Sequence, residues 1–516
     1  MTASGFRAIA ASLALAAVLA GCGGGGSDSS ASALPPAAGG PGFHDPADYS
    51  SAATASLPSA QEGAAVTSHT LTLDGRSIAY TATAGHLTAG DPASGAAQAS
   101  MFYVAYTAIG APAATRPLVF FYNGGPGSAT VWLHLGSFGP RRIVTNAPAT
   151  SVPAPFQLVD NLDSLIDTAD LVFVDAVGAG FSEAIAPATN QSFWSVDADA
   201  RVMRDFVARY VALNQRTASP TFLYGESYGT TRTAVLANLM VTGGMRLDGI
   251  VLHSSVLDYN ANCGLFAPGQ VSCAGYLPSY GMTGAWFGLL TPPPTDAVAY
   301  AQQMRDFDDT QYAPALAAFL GSGTPPAPTL LDALANRTGA PRPLWSAKPN
   351  LDPTSYRSET LPAQLMGRYD ARVAVAATSP LAAGGDPSAS VINAPFTAAQ
   401  QAHLANELLY TSASTYTMLS GAINSWDFAH DGRALPDTIP DLATALAQRP
   451  SMRVLSLNGY HDLATPFRQT ELDLARMGSL PGLQVKVYPG GHMTYLDDGS
   501  RPLIKADLVR FITGAP

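Results

Sequence analysis

Tyr224-Gly225-Glu226-Ser227-Tyr228-Gly229 follows a short apolar run, residues 221–224, and precedes a helical pattern over residues 230–241. A serine flanked by Gly225 and Gly229 at a strand-to-helix junction is the setting of a nucleophile elbow. The glycines permit a turn tight enough to lift the serine hydroxyl clear of the backbone. The helix start behind it supplies N–H groups and a positive dipole end where oxyanion charge would develop. Working outward, residues 118–122, 171–175, 249–253, 453–457 and 483–488 are short apolar runs of the kind that forms buried parallel strands. Helical patterns lie between several of them, including an apolar face built from Val202, Phe206 and Tyr210. Strands alternating with helices predict an α/β protein with a mostly parallel central sheet and helices on both faces. Residues 77–83 and 101–107 read as antiparallel strands ahead of it. With the elbow, this pattern predicts an α/β-hydrolase fold.

A serine nucleophile needs a base and a group to orient that base. In this fold the chain order is serine, acid, histidine, with the acid after the penultimate strand and the histidine after the last. Asp462 follows the run 453–457, and His492 follows 483–488 in Gly490-Gly491-His492-Met493. Ser227, Asp462 and His492 are therefore the expected catalytic set. His461, beside Asp462, reads as an ordinary loop residue. Straight after residues 118–122 comes Asn123-Gly124-Gly125-Pro126-Gly127-Ser128, placed where a second oxyanion N–H belongs. A phosphate loop is excluded there because no Lys-Ser/Thr pair follows.

The N-terminus has a separate logic. Arg7 precedes an apolar stretch, residues 9–20, too short to span a bilayer. It reads as a signal peptide. Leu19-Ala20-Gly21-Cys22 resembles a bacterial lipobox, so Cys22 is the expected lipidation site and a membrane anchor the expected consequence. Residues 23–65, rich in Gly, Ser, Ala and Pro, read as a tether. Export places the remaining cysteines, Cys263 and Cys273, in an oxidising compartment where a disulfide between them is plausible chemistry. Residues 66–257 and 451–516 are the expected core. Residues 258–450, where the strand rhythm stops, are read as an insertion forming a cap over the site. The net charge of −11 and the lack of any basic run argue against a nucleic-acid partner. No zinc-type spacing of Cys or His is present.

Four blocks, in this order, resemble the signature blocks of the serine carboxypeptidases, peptidase family S10. They are residues 123–128, Val174-Asp175 with residues 177–182, residues 225–229, and Gly491-His492-Met493. The resemblance implies a cofactor-free serine carboxypeptidase acting on peptides. It gives oxyanion N–H groups to Gly125 and Tyr228, and binding of the substrate's C-terminal carboxylate to Asn123, Gly124 and Glu226. Two carboxylates share a site only if one is protonated, and the family uses two glutamates there. In this sequence Ser137 stands where the second glutamate is expected, followed by Arg141 and Arg142. One of these arginines is thus expected to bind the substrate carboxylate, with a pH optimum nearer neutrality. An esterase or acyltransferase on the same scaffold, or a surface binding protein that has lost catalysis, are the other functions left open.

Overall fold

The computed structural model describes residues 42–60, 62–152, 154–265 and 271–515. Its main sheet runs in the order Leu483–Tyr488, Arg453–Gly459, Gly249–His253, Thr221–Glu226, Leu118–Tyr122, Asp170–Val174, Ala97–Ala108, Arg76–Gly90, Ala64–Leu73. Every pairing from Leu483–Tyr488 to Asp170–Val174 is parallel, and every later one is antiparallel. Chain order reverses between the neighbours Leu118–Tyr122 and Thr221–Glu226. The loops leaving their C-terminal ends therefore open onto a topological switch point, where open α/β sheets bind ligands.

The reason these runs are strands lies in their two-sided burial. In Leu118–Tyr122, Val119 and Phe121 enter one apolar cluster, and Leu118, Phe120 and Tyr122 enter another on the opposite face. Helices Val196–Leu213 and Tyr228–Thr242 close the second face with Val202, Phe206, Leu236 and Met240. Helix Arg501–Thr513 covers the first with Ile504, Leu508 and Phe511. The α/β architecture expected from the sequence is present.

The insertion is less uniform than expected. Residues from Cys263 to Ala371 build a helical unit with its own core, which rests on Tyr460, Leu463 and Phe467. Helices Pro387–Asn406 and Ile439–Gln448, which the sequence assigns to the same cap, instead seal the two faces of the sheet. Ile392 and Phe396 join the first cluster, and Ile439 and Leu442 the second. Pro395 lies inside the first of these helices, which helped conceal it.

Residues 42–65 also depart from the tether reading. Phe43–Asp45 pairs in parallel with Tyr410–Ser412. The buried Asp45 carboxylate accepts hydrogen bonds from the Tyr49 and Tyr410 hydroxyls and lies 3.0 Å from His86 Nδ1. Ala64 already belongs to strand Ala64–Leu73. Small and hydroxylated residues there hide the alternation that buries Ala65, Thr67, Leu71 and Leu73. The signal peptide, Cys22 and the tether up to residue 41 lie outside the described residues. Among those described, no helix is long and apolar enough to cross a membrane.

Candidate active site

Strand Thr221–Glu226 ends directly on Ser227, and helix Tyr228–Thr242 begins on the next residue. Ser227 adopts φ 60° and ψ −129°, a region costly for a residue with a side chain. The surroundings enforce it. Its N–H donates to the His253 carbonyl at 3.0 Å, and its carbonyl accepts from the Thr230 N–H at 2.8 Å. A Cβ on Gly225 would fall 2.3 Å from both the Gly229 carbonyl and Thr233 Oγ1, so only glycine fits there. The result is a hydroxyl on the floor of a cavity of about 440 Å³, whose lining includes Asn123, Gly124, Gly125, Glu226 and His492.

The structure brings the three residues expected as nucleophile, orienter and base to one place. His492 Nδ1 lies 2.8 Å from Asp462 Oδ2. The other oxygen of Asp462 accepts N–H bonds from Ala464 at 2.7 Å and Thr465 at 3.1 Å. Asp462 is thus a fully buried carboxylate whose lone pairs are directed by its own loop. Burial opposes a charged imidazole at His492, but the Asp462 carboxylate outweighs it and holds the histidine above its ordinary pKa. The Tyr369 ring stacks on the imidazole, centroids 4.8 Å apart. Ser227 and His492 line the same cavity.

The loop 123–128 closes the opposite wall. A Cβ on Gly124 would lie 2.4 Å from the Tyr228 nitrogen, so the two loops meet only because that position is glycine. Gly125, at φ +103°, turns the chain beside it. Gly125 and Tyr228 also line a second cavity together with Ser227. That cavity, about 110 Å³, has a lining of mixed polarity that includes Val256, Leu265, Arg368 and Thr465.

Asn123 and Glu226 meet at the cavity floor. Asn123 Nδ2 donates to Glu226 Oε1 at 2.8 Å, and Asn123 Oδ1 accepts from the Leu133 N–H at 3.0 Å. Glu226 Oε2 is buried without a hydrogen-bond partner. Burial raises the Glu226 pKa to about 7, against the lowering influence of His492. The Tyr495 hydroxyl acts electrostatically on the same carboxylate but makes no hydrogen bond to it.

Two supports escaped the sequence reading. Arg232, fully buried on the helix after Ser227, donates to the Asn123 carbonyl at 2.9 Å and to Asp199 at 2.6 Å. Its guanidinium lies between the Tyr122 and Tyr228 rings, 5.3 and 5.4 Å from their centroids. Asp175 accepts the Thr130 N–H at 2.7 Å and the Tyr416 hydroxyl at 3.1 Å, fixing the far end of the 123–130 turn. Arg232 had no local signal, because its partners lie far away in sequence; Asp175 falls in the Val174-Asp175 block, but its distant hydrogen-bond partners hid its role.

The arginine expectation fails. Arg141 is spent on Asp160 and Glu407, and Arg142 pairs with Asp498. Neither lines the cavity. The short strand Arg141–Ile143 pairs with Leu158–Asp160 and carries both side chains into that surface network. Ser137 is buried and donates to the Leu133 carbonyl, so it replaces the second glutamate with a structural hydroxyl. Cys263 and Cys273 form a disulfide, with Cα atoms 5.3 Å apart. Among the described residues, no group of three or more His, Cys, Asp or Glu side chains is placed to hold a metal ion.

Comparison with known proteins points one way. The model of the serine carboxypeptidase family, peptidase S10, matches residues 75–266. That stretch holds the 123–128 loop and Ser227 but ends before Asp462 and His492. Serine carboxypeptidase-like 33 of Arabidopsis thaliana is 31% identical over 147 residues, 27% of this chain and 28% of the plant protein. The chain thus spans a little over a quarter of that relative's length. Kex1(delta)p, a prohormone-processing carboxypeptidase from Saccharomyces cerevisiae, superposes with a TM-score of 0.51 at 14% identity, covering 84% of this chain and 91% of the yeast one. At that identity the likeness concerns the fold, which is that of the α/β-hydrolases.

Proposed function

We propose that this chain is a serine-type carboxypeptidase that removes C-terminal residues from peptides through an acyl-enzyme on Ser227. The observation that carries the reading is the buried Asn123–Glu226 pair on the floor of the cavity that holds Ser227. A general esterase has no use for a carboxylic acid kept neutral by burial. A carboxypeptidase does, because a protonated Glu226 donates a hydrogen bond to a substrate carboxylate that an ionised one would repel. Asn123 and the Gly124 N–H complete that recognition.

The chemistry then follows from the geometry. His492 Nε2 takes the Ser227 proton as Oγ attacks the last peptide carbonyl. Asp462 fixes the imidazole tautomer and steadies the imidazolium. The Gly125 and Tyr228 N–H groups receive the oxyanion. His492 returns the proton to the leaving amine, and water repeats the sequence to release the shortened peptide. The larger cavity accommodates the departing residue. The smaller one accommodates the side chain before the scissile bond.

Incubation with an aryl phosphonate, followed by peptide mass mapping, tests the nucleophile. A covalent adduct on Ser227 that is lost in Ser227→Ala supports an active serine hydrolase. A folded protein that never labels is a binding scaffold instead. The anchoring proposed for Cys22 rests on sequence alone. Metabolic labelling with a fatty acid that fails to tag the wild type, or that tags Cys22→Ala equally, would remove it.

A further inference from the structure

With Arg141 and Arg142 committed elsewhere, the cavity still contains one permanent cation. Arg368, from the insertion, lines both the larger cavity and the smaller one beside Ser227, and among the described residues no other lysine or arginine lines either. Among the described residues no carboxylate pairs with its guanidinium, which lies 5.7 Å from the Tyr369 ring centroid. Its position is fixed from the backbone. The Arg368 carbonyl accepts the Leu463 N–H, beside Asp462, and the Tyr369 carbonyl accepts the His492 N–H. Asp386, which also lines the cavity, is committed to the same turn. It accepts the N–H groups of Arg368, Tyr369 and Ser388 and the Ser388 hydroxyl. The turn is therefore stitched to both loops that carry the charge-relay residues, and it presents an unpaired arginine to the space a substrate must enter. Trp132 adds an independent sign. It lines the same cavity, and its buried indole N–H has no hydrogen-bond partner.

We infer that Arg368, together with the Trp132 indole N–H of the same cavity, binds the C-terminal carboxylate of the substrate and takes over the task of the missing second glutamate. This rests on the carboxypeptidase reading above and specifies how that site works. A guanidinium offers a charge-assisted bond that persists across the useful pH range, whereas a glutamate must first be protonated. The supply from the insertion, not from the strand after Ser137, explains why the residue was not found next to the position it replaces.

The test compares one blocked dipeptide as free acid and as C-terminal amide at neutral pH, with wild type, Arg368→Gln and Arg368→Lys. Phosphonate labelling of Ser227 in each variant verifies an intact site. In Arg368→Gln the ratio of kcat/KM for acid over amide falls about tenfold, the size expected for one charge-assisted hydrogen bond at a half-exposed position. Arg368→Lys recovers part of that ratio. An unchanged ratio overturns the inference. So does a loss seen only when the departing residue is Asp or Glu, which would assign Arg368 to a side chain instead. Wild type separates this failure from that of the underlying reading: if wild type itself shows no preference for the acid, the carboxypeptidase reading falls first.

Discussion

Replacing Glu226 by Gln asks whether the buried acid works through its proton. Glu226 is 2% exposed and its Oε2 has no partner. Burial carries its pKa from 4.5 to about 7, a displacement worth about 3 kcal/mol against ionisation. The sign follows directly. Below pH 7 the carboxyl is neutral and can donate to a substrate carboxylate. Above it the group ionises and repels. At pH 8 roughly a tenth of wild-type molecules retain the proton, and at pH 9 roughly one in a hundred. Gln stays neutral throughout, so the ratio of variant to wild-type kcat/KM on a blocked dipeptide acid should climb about tenfold per pH unit above 7. The assay is a pH–rate profile of both proteins on the same substrate. Parallel profiles at every pH would refute the claim that the Glu226 proton is used.

Other predictions probe the supports. Asp462→Asn should cut kcat by about 10⁴-fold, and the His492 imidazole, followed by NMR, should titrate at lower pH because its strongest raising influence is gone. An unshifted imidazole would show that Asp462 does not govern it. Gly180→Ala should destabilise the fold by at least about 2 kcal/mol, since a Cβ there would lie 1.8 Å from Asp175 Oδ2 at φ +59°. Wild-type stability in urea would contradict this.

The elbow, the 123–128 loop and the loops of Asp462 and His492 were legible because each is a local event. Strand ends, glycines and a reactive residue fall within about six positions. Runs 118–122 and 249–253 match strands of the structure because each is dominated by apolar residues and fully buried, whereas 483–488, with Gln484 and Lys486, forms the edge strand. What failed depended on distant partners. Residues 42–65 look like linker by composition, yet Asp45 is held by Tyr410 and His86 from elsewhere in the chain. Helix Ile439–Gln448 reads as part of the cap because nothing local ties it to Leu236 of helix Tyr228–Thr242 and Leu252 of the sheet. Arg141 sat at the right place in sequence to enter the site, but its strand pairing turns it toward Asp160. Arg368 arrives from the insertion, where no periodicity marks it, and only the hydrogen bonds of its turn to Leu463 and His492 bring it to the cavity.

The central claim is tested most directly by incubating the full chain with one peptide in two forms, free acid and C-terminal amide, and following products by mass spectrometry. Stepwise loss of single residues from the C-terminus of the free acid, with the amide much slower and Ser227→Ala inert, is the predicted result. Equal processing of both forms, or hydrolysis confined to esters, would contradict it.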